Sequence, residues 1–134
     1  NKFTLELQKY ILRSFQTLGW KTENKKIVIS AMWAIINKKN DFNVVHTHPN
    51  SYLSAAYYVS APKNCGKFQV ESLNIAKRHS YPEILKNNEL NTHVAGLEVN
   101  EGDLLIFPGY LPHKVAMNES EQDRIVISFY VGVK

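Results

Sequence analysis

The stretch Asn43-Val44-Val45-His46-Thr47-His48, the turn Pro49-Asn50-Ser51 and the run Leu53-Ser54-Ala55-Ala56-Tyr57-Tyr58-Val59-Ser60 decide how this chain reads. Both runs are short, and β-branched or aromatic residues recur in them, with turn residues between. They read as two short strands. Successive side chains of a strand point to opposite faces, so His46 and His48 project from the same one. Two imidazoles leaving one strand together are a natural start for a divalent metal site.

The same signal recurs outward. Ile27 to Ile36 (IVISAMWAII) is apolar and β-branched, and Asn37-Lys38-Lys39-Asn40-Asp41 is a polar turn. Beyond Ser60, Pro62 to Gly66 reads as a loop. Lys67 to Glu71, His93 to Val99, Asp103 to Phe107, His113 to Met117 and Arg124 to Val133 read as strands, with a tight turn at Asn100-Glu101-Gly102. Eight short strands without alternating helices predict a mostly β fold, a two-sheet antiparallel jelly roll. One helix precedes it. Phe3, Leu7, Ile11, Phe15 and Leu18 recur at four- and three-residue spacing, with Thr4 as the expected N-cap and Gly19 as the stop. This helix is expected to pack on the outside of a sheet. Leu73 to Asn91 is polar, holds Pro82 and lacks a period; it reads as a long loop with one short helix, of the kind that serves as a lid or binding loop.

Composition bounds the function. The 134 residues suit one domain, 1–134, able to bury a core. Hydrophobic residues make up 44% and charged residues 21%, as in ordinary globular proteins. No apolar run approaches the roughly 20 residues that span a bilayer. The net charge of +4 is spread over small basic groups without interleaved aromatics, which argues for a solvated surface rather than a nucleic-acid footprint. Cys65 is the one cysteine, so neither a disulfide framework nor a thiolate cluster is expected, and it reads as a loop or core thiol. The start shows no signal-peptide pattern, and a lone cysteine favours a reducing compartment, so a cytoplasmic location is expected. The oligomeric state is open, and a homodimer is compatible with the sequence.

Two features strengthen the histidine pair. Gly102-Asp103-Leu104-Leu105-Ile106-Phe107-Pro108-Gly109-Tyr110-Leu111-Pro112-His113 is a strand, a tight turn and a histidine entering the next strand. His113 would complete three facial ligands and leave positions open for substrate and oxygen, the mark of a catalytic site more than a structural one. Arg124 opens the last strand, and Ser128, four residues on, shares its face. A buried arginine needs an anion, and its planar fork grips a carboxylate by two hydrogen bonds, which suits a small dicarboxylate. The alternatives are surface histidines on a strand and an exposed ion pair from Arg124 to Asp123 or Glu121.

At this point the sequence resembles a family. His46-x-His48, then Leu53-Ser54-x-x-Tyr57-Tyr58-Val59, then Gly102 to Pro108 with Leu111-Pro112-His113, then Arg124-Ile125-x-Ile127-Ser128-Phe129 look like the 2-oxoglutarate- and Fe(II)-dependent oxygenases, nearest to the small branch similar to prolyl hydroxylases. The resemblance covers roughly Trp33 to Val131. It implies a double-stranded β-helix, Fe(II) as metal, 2-oxoglutarate and O2 as co-substrates, and hydroxylation of an unactivated C–H bond with release of succinate and CO2. It also implies His46 and His113 as iron ligands. Arg124, Ser128 and Tyr58 would hold the far carboxylate of 2-oxoglutarate.

The family pattern is His-x-Asp/Glu, and here His48 stands where the acid is usual. Three neutral ligands would supply no negative charge to the metal. A site of two histidines with a position free, or one using His48 and Asn50, are the variants; Pro49 breaks the strand and disfavours the second. The stretch Lys67 to Asn74 also departs from the family's pattern. A cupin-type metalloprotein that does not use 2-oxoglutarate is the first alternative, and a non-catalytic jelly-roll binding module is the second. The substrate, a peptidyl residue or a small metabolite, is not specified. His79 and His93 are expected outside the site, and Trp20 and Trp33 are expected in core or rim packing.

Overall fold

The computed structural model describes residues 2–74, 76–79 and 82–134. Helix α1 spans Lys2–Thr17 and buries Leu7, Ile11 and Phe15. Gly19 ends it in the left-handed region, with φ of +66°. The Trp20 amide bonds the Phe15 carbonyl and the Gly19 amide bonds the Gln16 carbonyl. These two bonds form a Schellman cap, and the Trp20 ring packs edge-on against Phe15, its usual apolar accompaniment. Thr4, the expected N-cap, instead lies inside the first turn. Phe3 packs against Tyr57 of the sheet, which extends the helix upstream of Thr4.

The eight strands are β1 (Ile27–Asn37), β2 (Asn43–His46), β3 (Leu53–Ser60), β4 (Phe68–Glu71), β5 (Val94–Leu97), β6 (Leu104–Pro108), β7 (His113–Val115) and β8 (Arg124–Val133). They form two four-stranded sheets, a major one in the order β1-β8-β3-β6 and a minor one in the order β2-β7-β4-β5. Every pairing between them is antiparallel. The expected mostly β jelly roll with an external helix is the fold observed. Asn100 to Gly102 is a turn as read, but it links β5 of the minor sheet to β6 of the major sheet. Gly102 takes φ of +87° there, and the Asn100 amide is held by the Asp103 carboxylate at 2.7 Å.

The central strands of the major sheet, β8 and β3, are covered on both faces. Leu53, Ala55, Phe129 and Val131 pack against Leu7, Ile11 and Phe15 of α1. The alternate residues of the same strands, Ala56, Tyr58 and Val126, pack toward the minor sheet with Phe68 and Phe107. Strand β1 changes sides on the way. Ile27 and Ile29 pack on the helix side, and the register with β8 then shifts between Ile29 and Ala31. This bulge, with Ser30 as the extra residue, turns Trp33, Ile35 and Asn37 toward the space between the sheets.

The long connection between β4 and β5 contains the short helix α2, Ala76–His79. Ile75, Ser80 and Tyr81 of this connection lie outside the described residues.

Candidate metal centre and anion pocket

Between the sheets lies a cavity of about 300 Å³, at the small end of ligand-pocket sizes. His46, His48 and His113 line it together with Tyr58, Arg124 and Ser128, so all six residues singled out from the sequence meet there.

The three imidazoles reach this place by different routes. His46 closes β2, and His113 opens β7 directly opposite, as its register partner. A bulge between Asn43 and His46 lets both of these residues line the cavity despite their odd spacing. His48 lies beyond the end of β2, two residues earlier than the strand was expected to stop. Its amide donates to the Gly109 carbonyl at 2.7 Å, which ties it to the turn after β6 in place of a ladder. The nitrogen atoms that the three rings could offer a metal lie within 4.8 Å of one another. Among the described residues no carboxylate or thiolate joins this group.

Outer partners set which nitrogen is offered. His46 Nδ1 lies 2.7 Å from the Val44 carbonyl, and His113 Nδ1 lies 2.8 Å from the Leu111 carbonyl. A carbonyl only accepts, so in each neutral ring Nδ1 carries the proton and Nε2 presents its lone pair. His48 Nδ1 is hydrogen-bonded to the Ser54 hydroxyl. Phe68 stacks on the His113 ring and Phe107 packs beside it, which fixes that ring's plane. Burial, followed by the neighbouring His113 and His46, pushes the pKa of His48 down to about 4. Burial also lowers His113, against the opposing effect of its bond to the Leu111 carbonyl. Both rings are therefore neutral at neutral pH, the state that binds metal.

The other end of the cavity is an anion pocket. Arg124 is 1% exposed. Its Nη1 donates to the Cys65 carbonyl and, at 3.2 Å, to the Ala116 carbonyl. Its Nη2 is buried without a hydrogen-bond partner. Among the described residues no ion pair to Arg124 is formed, and Glu121, one of the acids considered for it, pairs with Lys39. Burial lowers the arginine's pKa, and Tyr58 and Cys65 oppose that. Tyr58 is also buried, and burial pushes its hydroxyl up to about 12 against the pull of Arg124. It stays protonated and can donate. A buried guanidinium with an unused N–H is costly unless an anion completes it. The donor set thus fits a carboxylate at this end, as the three Nε2 lone pairs fit a divalent metal at the other.

Register orders the cavity between the two ends. Along β8, Tyr130, Ser128, Val126 and Arg124 face inward, opposite Ser54, Ala56 and Tyr58 of β3. The Tyr130 ring lies 4.7 Å from that of His48. The metal end is therefore at Tyr130 and Ser54, and the anion end at Arg124 and Tyr58.

Other expectations fall as follows. Cys65 is buried, as read. Trp20 packs against Phe15 and Tyr52, but Trp33 lines the cavity and meets Tyr130 edge-on at 4.6 Å. Asn50 sits in a left-handed turn, with φ of +63°, outside the cavity lining. His79 is exposed on α2, His93 precedes β5, and neither lines the cavity. None of the described residues between Leu73 and Asn91 lines the cavity. The sequence reading missed Ser54 and Tyr130. Two-residue alternation from Tyr58 and from Ser128 would have marked both.

The family described as "Putative 2OG-Fe(II) oxygenase" matches residues 31–130. Solved structures resemble the chain at low identity. An oxidoreductase of the 2OG-Fe(II) oxygenase family from Burkholderia pseudomallei is 11% identical with a TM-score of 0.64, over 83% of this chain and 47% of its own. A Pseudomonas putida prolyl-4-hydroxylase is 15% identical with a TM-score of 0.60, over 92% of this chain and 60% of its own. HygX from Streptomyces hygroscopicus, with nickel, 2-oxoglutarate and hygromycin B bound, is 16% identical with a TM-score of 0.58, over 81% of this chain and 57% of its own. The chain thus spans about half to three-fifths of the length of these three proteins. No curated protein matches it by sequence.

Proposed function

The chain belongs to the 2OG-Fe(II) oxygenase family, and from that premise we propose that it is a 2-oxoglutarate- and Fe(II)-dependent dioxygenase that hydroxylates a substrate C–H bond. One observation carries the reading most directly. The unpaired Nη2 of buried Arg124 shares a small cavity with three histidines whose ligand nitrogens converge.

In this reading His46, His48 and His113 would hold Fe(II) through Nε2, as three neutral ligands. Arg124 takes the distal carboxylate of 2-oxoglutarate, with Tyr58 and Ser128 as hydroxyl partners. When bound, iron with 2-oxoglutarate and O2 supplies the oxidising power that converts the co-substrate to succinate and CO2 and oxygenates the substrate. The chain's own part is placement. Arg124 and the triad fix the two ends of a five-carbon dianion, and the walls of Phe68, Phe107, Ala56 and Val126 exclude water between them. The HygX structure with hygromycin B and the prolyl-4-hydroxylase are named for different kinds of molecule, so a peptidyl residue and a small metabolite both stay within the proposal. Residues 1–134 are read as one oxygenase-like domain, and the single buried Cys65 suits a reducing cytoplasm.

Anaerobic titration of the Fe(II)-loaded protein with 2-oxoglutarate tests this. A visible charge-transfer band is expected in the wild type and not in Arg124→Ala. Metal uptake without a response to 2-oxoglutarate would move the assignment to a cupin-type metalloprotein. No metal uptake would leave a non-catalytic jelly-roll module.

A further inference from the structure

His48 differs from the other two histidines in having no strand to hold it. His46 and His113 sit on paired strands, and each bonds a carbonyl two residues back in its own chain. His48 lies past the end of β2, and its Nδ1 bonds a side chain, the hydroxyl of Ser54, on the facing major sheet. Ser54 is 1% exposed. Its register partner on β8 is Tyr130, whose ring flanks the same imidazole. A cross-strand pair of the major sheet thus grips a residue of the opposite layer.

We propose that Ser54 is a positioning residue for the third ligand: its hydroxyl, which can donate or accept, takes the acceptor role toward His48 Nδ1 and so holds the ring with Nε2 aimed at His46 and His113. The proposal rests on the metal reading above and deepens it. An acid at position 48 presents oxygen lone pairs in any proton arrangement of its surroundings. A neutral imidazole presents one lone pair, on whichever ring nitrogen lacks the proton. A histidine placed here therefore needs an outer partner on Nδ1 that the acid would not. Ser54 fills that need, with Tyr130 limiting rotation of the ring. Outer partners of this kind typically change metal affinity by about 10- to 100-fold.

Two measurements test this on the full chain. In the metal-free wild type, long-range 1H–15N correlation at neutral pH is expected to give His48 as the Nδ1–H tautomer, and Ser54→Ala as a tautomer mixture. Ni(II) titration is expected to give Ser54→Ala a dissociation constant about 10- to 100-fold above the wild type, with Ser54→Thr recovering most of the loss. A wild-type His48 protonated on Nε2 overturns the proposal. So does an unchanged tautomer in Ser54→Ala, or Ni(II) affinity equal to the wild type. Failure of the wild type to bind Ni(II) overturns the metal reading and with it this role, a result separable from the others by the tautomer spectra. Thermal melts of both variants identify a loss of fold, and the tautomer of a folded sample then decides.

Discussion

His46 and His113 are direct partners across the β2–β7 pair, with ring centroids 4.3 Å apart. Antiparallel pairing brings directly opposite side chains to roughly 4.5–5.5 Å at Cβ, which is why the sheet can supply two ligands without any loop. The two are not equivalent for stability. His113 is 3% exposed and wedged between Phe68 and Phe107, whereas His46 is half-buried on an edge strand.

Either histidine changed to alanine should therefore abolish measurable Ni(II) binding in calorimetric titration. His113→Ala should also cost about 2–4 kcal/mol in denaturant unfolding, the range for emptying a well-packed site, and His46→Ala under about 1 kcal/mol. Equal destabilisation by the two would contradict the packing difference. Tight Ni(II) binding by either variant would contradict the ligand set.

Arg124 should behave in the opposite way. Its Nη2 is unpaired, and no carboxylate forms an ion pair with it among the described residues, so the apo protein bears the cost of a buried cation for the sake of a ligand. Arg124→Met keeps most of the apolar volume and removes the charge. The apo variant should melt at or above the wild-type temperature, while the rise in melting temperature that 2-oxoglutarate gives the metal-loaded wild type should vanish. A strongly destabilised apo variant would mean that the bonds to the Cys65 and Ala116 carbonyls are the residue's main work.

The acid sensitivity of the apo protein follows from the buried rings. His48 has its pKa lowered from 6.5 to about 4, and His113 is lowered too, both mainly by burial. The unfolded chain binds these protons at higher pH than the folded one, so stability rises with pH across the interval. The stabilisation is complete above about pH 6.5, is lost as pH falls toward 4, and changes no further through His48 below that. Melting temperature against pH should fall through this window, and His48→Asn should make the fall shallower. An unchanged slope in the variant would show that His48 does not titrate as its burial implies.

How much of this the sequence carried depends on the kind of order involved. Period-two and period-four patterns report burial directly, so the strands, α1 and its Gly19 stop were legible. The inward face of β8 was legible for the same reason, since Arg124 and Ser128 keep strict alternation across it. What broke alternation was hidden. The extra residue at Ser30 re-aims Trp33, and no local signal marks a bulge in an unbroken apolar run. The turn at Gly102 could not declare that it joins two sheets. The spacing of His48 from His46 suits a strand, yet β2 ends at His46. Its true anchors, the Gly109 carbonyl and the Ser54 hydroxyl, are tertiary and leave no period.

Those anchors make Gly109 a sensitive glycine at the metal end of the site. A Cβ there would lie 2.2 Å from the Ser51 carbonyl oxygen and 2.9 Å from that of His48, both backbone atoms that cannot swing aside. The same residue's carbonyl accepts the His48 amide, so relief of the clash must shift the segment that carries the third ligand. Gly132 is the control, because a Cβ there meets nothing closer than the Ser30 side chain at 4.0 Å. Gly109→Ala should cost about 1–3 kcal/mol, as overpacking does, and weaken Ni(II) binding at least about tenfold. Gly132→Ala should leave both quantities near the wild type. Native Ni(II) affinity in a folded Gly109→Ala would mean that His48 either tolerates the shift or is not a ligand, and a His48→Ala titration would separate the two, since only a true ligand loses affinity when its imidazole is removed.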